Sequence, residues 1–173
     1  MSFARLLLSL VIGFLILQRL AELAWARRNE KWIRQRGGQE FGAGRYPWIV
    51  ALHAGFLFSL AVEAWHRDEL NLRWPVVLAL LFIIQAGRYW CLTSLGSYWN
   101  TKILVIPGSQ PVRRGPYRWL KHPNYAIVVL ELALYPALFQ AWWTLLWVFV
   151  INLFLLRIRI REENRAIALC SAA

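Results

Sequence analysis

The run from Tyr125 to Ile158, YAIVVLELALYPALFQAWWTLLWVFVINLFLLRI, decides how this chain must fold. Its 34 residues carry only two charges, Glu131 and Arg157. As one helix it would be about 50 Å long, far more than the roughly 30 Å hydrocarbon core of a bilayer. Pro136 and the Gln140–Ala141 step fall near its middle, where a break would divide it into two crossings. The spacing therefore predicts a helical hairpin, with spans at about 124–139 and 142–160 and a turn around Phe139 to Trp142.

Working outward, three more apolar runs precede it. They cover about residues 3–25, 46–65 and 74–95, each long enough to cross a bilayer. The first has a start like that of a signal peptide. However, Gln18, Arg19 and Glu22 follow with helical periodicity and no small-residue cleavage site, which predicts an uncleaved span. No stretch reads as a β-strand. The fold class expected is all-α, an integral membrane bundle of five transmembrane helices forming one domain over residues 1–173.

Composition agrees: 59% of the residues are hydrophobic and eleven are tryptophan, well above soluble norms for apolar content and suited to interfacial aromatic belts. The net charge of +11 does not point to nucleic acid, because the basic residues cluster between apolar runs. Loops 26–45 and 96–124 and the tail from Arg157 together hold fifteen Lys and Arg, against three on the opposite side. By the positive-inside bias these loops and the C-terminus are cytoplasmic and the N-terminus lies outside, in the cell membrane.

Cys91 and Cys170, with His53, His66 and His122, lie too far apart for metal-ligand spacing, so no metal is expected. The soluble nucleotide-binding and hydrolase motifs GxGxxG, GxxxxGK[ST] and GxSxG are missing. Polar chemistry gathers instead in two segments at the cytoplasmic face. One is Gly115-Pro116-Tyr117-Arg118-Trp119-Leu120-Lys121-His122-Pro123-Asn124-Tyr125, where a turn leads into a helix whose first residue is proline. The N-terminus of that helix has unpaired N–H groups and the positive end of its dipole, so it suits a carboxylate. The other is Arg157-Ile158-Arg159-Ile160-Arg161-Glu162-Glu163-Asn164-Arg165, where the last helix leaves the membrane.

These two segments, joined by a helical hairpin, resemble the isoprenylcysteine carboxyl methyltransferase family over roughly Leu95 to Ile167. The stretches from Gln18 to Tyr46 and Gly96 to Gly108 resemble a small bacterial branch that methylates alkylpyrones or alkylresorcinols. The resemblance implies a membrane O-methyltransferase that uses S-adenosylmethionine without a Rossmann domain. It places Tyr117, His122, Pro123, Asn124 and Tyr125 against the cofactor, with backbone contacts from Gln110 to Val112. Lys121 stands where the family has arginine. The acidic pair aligns in two registers. Keeping Arg159-Ile160 in place makes Glu163 the first acidic residue and Asn164 the second, with Glu163 on the cofactor and Arg159 on the substrate. Matching Glu162-Glu163 directly loses the arginine. The acceptor implied is lipophilic, an alkylpyrone-like polyketide or a prenylated cysteine carboxylate. The alternatives are an enzyme methylating phospholipid amines or reducing sterols, or a small transporter or scaffold.

One expectation comes from depth alone. Arg88 and Glu131 each lie seven residues from the cytoplasmic end of their spans, about 10 Å down. Ionisable groups at that depth face the bundle interior and pair. Arg88 and Glu131 are therefore expected to interact and to floor the site, with Gln85 one turn deeper and Asn152 at a similar level if the fifth span exits near Ile160.

Overall fold

The computed structural model describes residues 1–171. Five helices carry the fold: α1 (Phe3–Arg34), α2 (Tyr46–Arg67), α3 (Trp74–Leu95), α4 (Pro123–Leu138) and α5 (Trp142–Ser171). Of these, α1, α2, α3 and α5 are long and apolar enough to cross a membrane, while α4 is a shorter apolar helix of 16 residues. The expectation of no strands is corrected. Gln39–Phe41 (β1) and Ile103–Val105 (β2) pair antiparallel, Glu40 opposite Leu104. Three-residue strands bury too little to leave an alternation in the sequence, and here they form because two anchored loops meet.

Leu8, Leu15, Leu52, Phe56, Leu60, Leu81, Leu132, Leu138 and Val148 interlock between the helices. Large apolar side chains also point outward, among them Phe58, 73% exposed, and Phe82, 69% exposed. A soluble protein does not show water so much apolar surface, and lipid is the solvent such a surface fits.

The break between α4 and α5 falls at Phe139–Ala141. Ala141 N–H donates to Pro136 O at 2.9 Å, and Gln140 takes a positive φ of 54°. The Gln140 side-chain amide donates to Leu70 O at 3.0 Å, and Asn71 N–H donates to Leu138 O at 2.9 Å. The connection between α2 and α3 thus holds the turn. Glu63 of α2 accepts from the Thr144 N–H at 2.8 Å and the Trp143 N–H at 3.2 Å, satisfying donors that the first turn of α5 cannot pair.

At the opposite end, α1 does not stop near residue 25 but runs nine residues further, to Arg34. Its extension carries Asn29, whose amide donates to Gly96 O at 3.0 Å and Trp99 O at 2.7 Å; Asn100 returns a bond to Ala26 O at 2.9 Å. Lys102 pairs with Glu30 at 3.0 Å and lies 3.7 Å from Glu40. Arg34 bridges the same two carboxylates. Half of the expected loop 26–45 is therefore a helical post that fixes residues 96–105.

Candidate active site

The segment 115–125 folds around one glycine. Gly115 has φ of 53°, and a Cβ there would lie 2.1 Å from Ser94 Oγ. It opens a 3-10 turn over Gly115–Arg118 that buries Pro116 and sets Tyr117 against Ala26, Cys91, Leu92 and Trp99. Burial, with Glu163 among the neighbouring groups, pushes the Tyr117 hydroxyl above its ordinary pKa. His122 then leads into Pro123 at the start of α4, which opens without a side-chain cap. Asn124 Oδ1 is buried with no hydrogen-bond partner among the described residues.

His122 and Tyr125, three residues apart, stack with ring centroids 5.3 Å apart and planes 17° from parallel. α5 meets this pair. The Tyr125 hydroxyl donates to Glu163 and accepts from Arg159 Nε at 2.8 Å. His122 Nδ1 lies 3.7 Å from Glu163 Oε2, and its Nε2 is 3.2 Å from Asn164 Oδ1. Arg159 Nη2 donates to Thr101 O at 2.7 Å, so the anchored loop orients the guanidinium. His122, Tyr125, Arg159, Glu163 and Asn164 thus meet where α4 and α5 reach the loops, with Tyr117 near Tyr125 and Glu163.

Glu162, one residue before Glu163, is turned about 100° around the helix. It pairs with Arg45 and lies against Gly42, on the side of a separate cleft. That cleft, narrow in this structure, runs between the start of α2, the β1–β2 pair and α5. Ile49, Leu155 and Ile158 line its apolar side, and Arg45, Tyr46, Lys102 and Arg159 its polar side. Arg159 therefore belongs to both places, bonded to Tyr125 in the cluster and lining the cleft.

Two expected residues stand apart. Gln110 is exposed and Val112 half-buried in the irregular segment before Gly115, and neither side chain enters the hydrogen bonds of the cluster. Lys121 is exposed. Thr101 and Arg45 were not expected: Thr101 contributes only a carbonyl, which no side chain signals, and Arg45 reads in sequence as one loop cation among six.

The depth arithmetic found a real pair. Arg88 Nη1 bonds Glu131 Oε2 at 2.9 Å, both residues nearly fully buried. The pair is half of a larger network. Glu22 binds Arg88 through both oxygens, at 2.6 and 2.7 Å, and Arg19 binds Glu22 at 2.9 Å and Glu131 at 3.2 Å. Gln85 donates to Glu131 at 2.9 Å and accepts from Gln18 at 2.7 Å. Asn152 is buried but takes no part, its Nδ2 having no partner among the described residues. The network does not floor the interfacial cleft; Glu131 and Arg19 border a different cavity, between α1, α2 and α4.

A bundle of long apolar helices, with lipid-compatible surface and polar side chains gathered at one end, defines a multi-pass membrane protein. Residues 77–169 match the isoprenylcysteine carboxyl methyltransferase (ICMT) family, and the chain belongs to that family of membrane methyltransferases. It is 46% identical over 159 residues to the uncharacterized protein YpbQ of Bacillus subtilis (strain 168), covering 91% of this chain and 95% of that protein. It is 26% identical over 165 residues to an uncharacterized protein of Haemophilus influenzae, covering 94% of this chain and 96% of that one. No solved structure matches the chain. Methyltransferases of the family generally use S-adenosylmethionine.

Proposed function

We propose that this protein is an S-adenosylmethionine-dependent O-methyltransferase acting on a lipophilic acceptor, with the cofactor at the His122–Tyr125–Glu163 cluster. The observation that carries this reading is the double placement of Arg159. It touches Tyr125 on one side and lines a cleft with one apolar and one polar side on the other.

The residues present fit such a cofactor. Its carboxylate suits the uncapped N-terminus of α4 and its ammonium suits Glu163, with the unpartnered Asn124 Oδ1 as a further acceptor. Tyr117 and Tyr125 offer aromatic surface for the adenosine, and Pro123 fixes the backbone between them and His122. Gln110 and Val112 would contribute main-chain groups as their segment settles over the nucleoside. When bound, the cofactor supplies an activated methyl group. Transfer breaks the methyl–sulfur bond and forms a methyl–oxygen bond, leaving a neutral thioether. The protein's work is then alignment and exclusion of water.

Arg159 is the one cation of the cleft with no carboxylate within ion-pair distance among the described residues. Arg45 is held by Glu162, and Lys102 by Glu30 and Glu40. The Nε and Nη2 bonds of Arg159 leave further N–H groups for an ionised acceptor oxygen, in an alkylpyrone-like polyketide or a prenylated cysteine carboxylate. An acceptor already ionised needs no separate base. Its tail would lie along Ile49, Leu155 and Ile158, entering from the bilayer.

In this reading α4 and α5 form a transmembrane hairpin, the bundle crosses the plasma membrane five times, and the site faces the cytoplasm. α4, at about 24 Å, is short for a full core and would cross where its neighbours thin the bilayer locally. The test is methyl transfer. Membranes containing the protein, given S-adenosylmethionine with a labelled methyl group and a lipid extract, should yield a labelled base-labile or ether product in the organic phase. No label above that of Arg159→Ala membranes would end the proposal.

A further inference from the structure

Residues 113–121 carry four cations, Arg113, Arg114, Arg118 and Lys121, all exposed. None of them has a carboxylate within ion-pair distance among the described residues, and the sequence has no Asp or Glu between Glu69 and Glu131. Other cations at this end of the bundle behave differently: Arg34, Arg45 and Lys102 are paired with Glu30, Glu162 and Glu40. Four like charges so close, without countercharge from the chain, repel one another unless anions gather around them.

Two large apolar side chains stand among these cations, Trp119, 70% exposed, and Leu120, 56% exposed. Trp119 meets Trp90 of α3 edge to face, with ring centroids 6.0 Å apart. Trp90 is itself exposed and continues the exposed stripe of Ile83 and Ala86, at i, i+3 and i+7 on one helical face. That stripe faces lipid, and Trp90 lies about 7 Å along the axis from the end of α3 at Leu95. The turn begins against the same flank, since a Cβ on Gly115 would lie 3.0 Å from Trp90 Nε1. Trp119 is thereby seated beside the lipid-facing side of α3, at the depth of the bilayer interface rather than over the bundle axis.

The charge of the segment selects among lipids. An interfacial tryptophan by itself suits any bilayer. Four unpaired cations around it select anionic headgroups, each cation near such a surface shifting the equilibrium by about fivefold. A choline headgroup would bring its own ammonium against the guanidinium groups. Arg118 also lies over the Trp119 ring, 5.9 Å from its centroid, on the kind of aromatic face a choline would use. The bias of basic residues fixes only the side of the membrane on which the segment lies. A tryptophan on a lipid-facing stripe, ringed by unpaired cations, fixes its depth and its partner.

We infer that residues 113–121 form a docking surface for the anionic phospholipid headgroups of the surrounding bilayer. Trp119 and Leu120 lie in the interface, and the four cations lie at the phosphates. The segment runs directly into His122 and Pro123, so docking also steadies the approach to the start of α4. This lipid binding stands independently of methyl transfer, and no cofactor is needed to measure it.

The test uses the full-length protein in nanodiscs of equal parts phosphatidylcholine and phosphatidylglycerol, and in discs of phosphatidylcholine alone. Trace phosphatidylglycerol and phosphatidylcholine probes carry a diazirine at the same position, beside the glycerol backbone. In the mixed discs the phosphatidylglycerol probe should label residues 113–121 at least about fivefold more than the phosphatidylcholine probe. Combining Arg113→Gln, Arg114→Gln and Arg118→Gln should remove that preference. Combining Arg27→Gln, Arg28→Gln and Lys31→Gln takes the same charge from the exposed face of α1 and should leave it. In the wild-type protein the amides of residues 113–121 should exchange hydrogen more slowly in the mixed discs than in phosphatidylcholine alone. Equal labelling by the two probes, or a preference that the loop variant keeps, overturns the inference. So does a preference lost to the same extent in both triple variants, which would mark a general effect of charge. Loss of the preference to soluble glycerol phosphate at matched ionic strength would mark a free-phosphate site and overturns it too. Amide exchange that is the same in both kinds of disc contradicts docking as well.

Discussion

At the scale of single residues, the site depends on which way α5 turns its side chains. Arg159 and Glu163, four apart, face Tyr125, while Glu162 faces Arg45. Arg159→Lys keeps the charge but loses the planar fork that reaches Tyr125 and Thr101 together. It should lower kcat/KM for the acceptor by about tenfold or more, since a hydrogen bond to a charged group is worth about 1.5–3 kcal/mol. S-adenosylmethionine affinity should change little, and titration calorimetry beside steady-state kinetics separates the two effects. Gly115→Ala tests the turn. The added methyl meets Ser94 Oγ at a φ that suits glycine, so a loss of about 1–3 kcal/mol in detergent unfolding is expected. Of these residues, His122, Tyr125 and Glu163 were singled out by the two segments that carry the family resemblance, and the fold brings their side chains together. Thr101 was not, because a carbonyl acts by position and any residue supplies one.

At the scale of elements, the hydrophobic runs were legible because lipid selects length and apolarity directly, and Pro136 with Gln140 marked the break before α5. The boundaries at the end that carries the basic loops were not. α1 runs to Arg34 because Asn29, Glu30 and Arg34 find partners in residues 96–102 and on β1, contacts far apart in sequence. The strands β1 and β2 exist for the same reason. At the other end Glu63, on α2, caps the start of α5. Glu63→Ala should destabilise the protein by about 1–2 kcal/mol, the usual range for a lost helix cap. The loss should appear as a lower unfolding midpoint in a mild detergent, with S-adenosylmethionine affinity retained because the site is at the far end of the bundle. A loss of affinity equal to the loss at the site residues would mean that the two ends are coupled.

At the scale of the whole molecule, four charged residues from α1, α3 and α4 tie the bundle together inside the membrane. Sequence depth placed Arg88 opposite Glu131, yet Glu22 and Arg19 looked like the ordinary polar continuation of a first helix. Their role needs α1 to pass beside α3, which no local pattern states. The network changes what charge reversal should do. Arg88→Glu should cost about 3–5 kcal/mol, as removal of one partner from a buried pair does. Adding Glu131→Arg should not restore wild-type stability, because the reversed charge at position 88 still meets Glu22. Full rescue by the double exchange would show that Glu22 is not engaged. The basic loops make a second statement at this scale. A fluorescent protein fused to the C-terminus should fold and fluoresce, whereas alkaline phosphatase fused there should be inactive.

The central claim is that the cluster at the meeting of α4 and α5 holds S-adenosylmethionine, and binding to the purified full-length protein in detergent tests it most directly. Calorimetry should show saturable binding near one equivalent. Affinity should fall about tenfold or more in Glu163→Gln and in His122→Ala, and stay close to wild type in Glu162→Gln, whose partner is Arg45. A folded wild-type protein that binds no S-adenosylmethionine, or one in which Glu162→Gln weakens binding as much as Glu163→Gln does, would contradict the account.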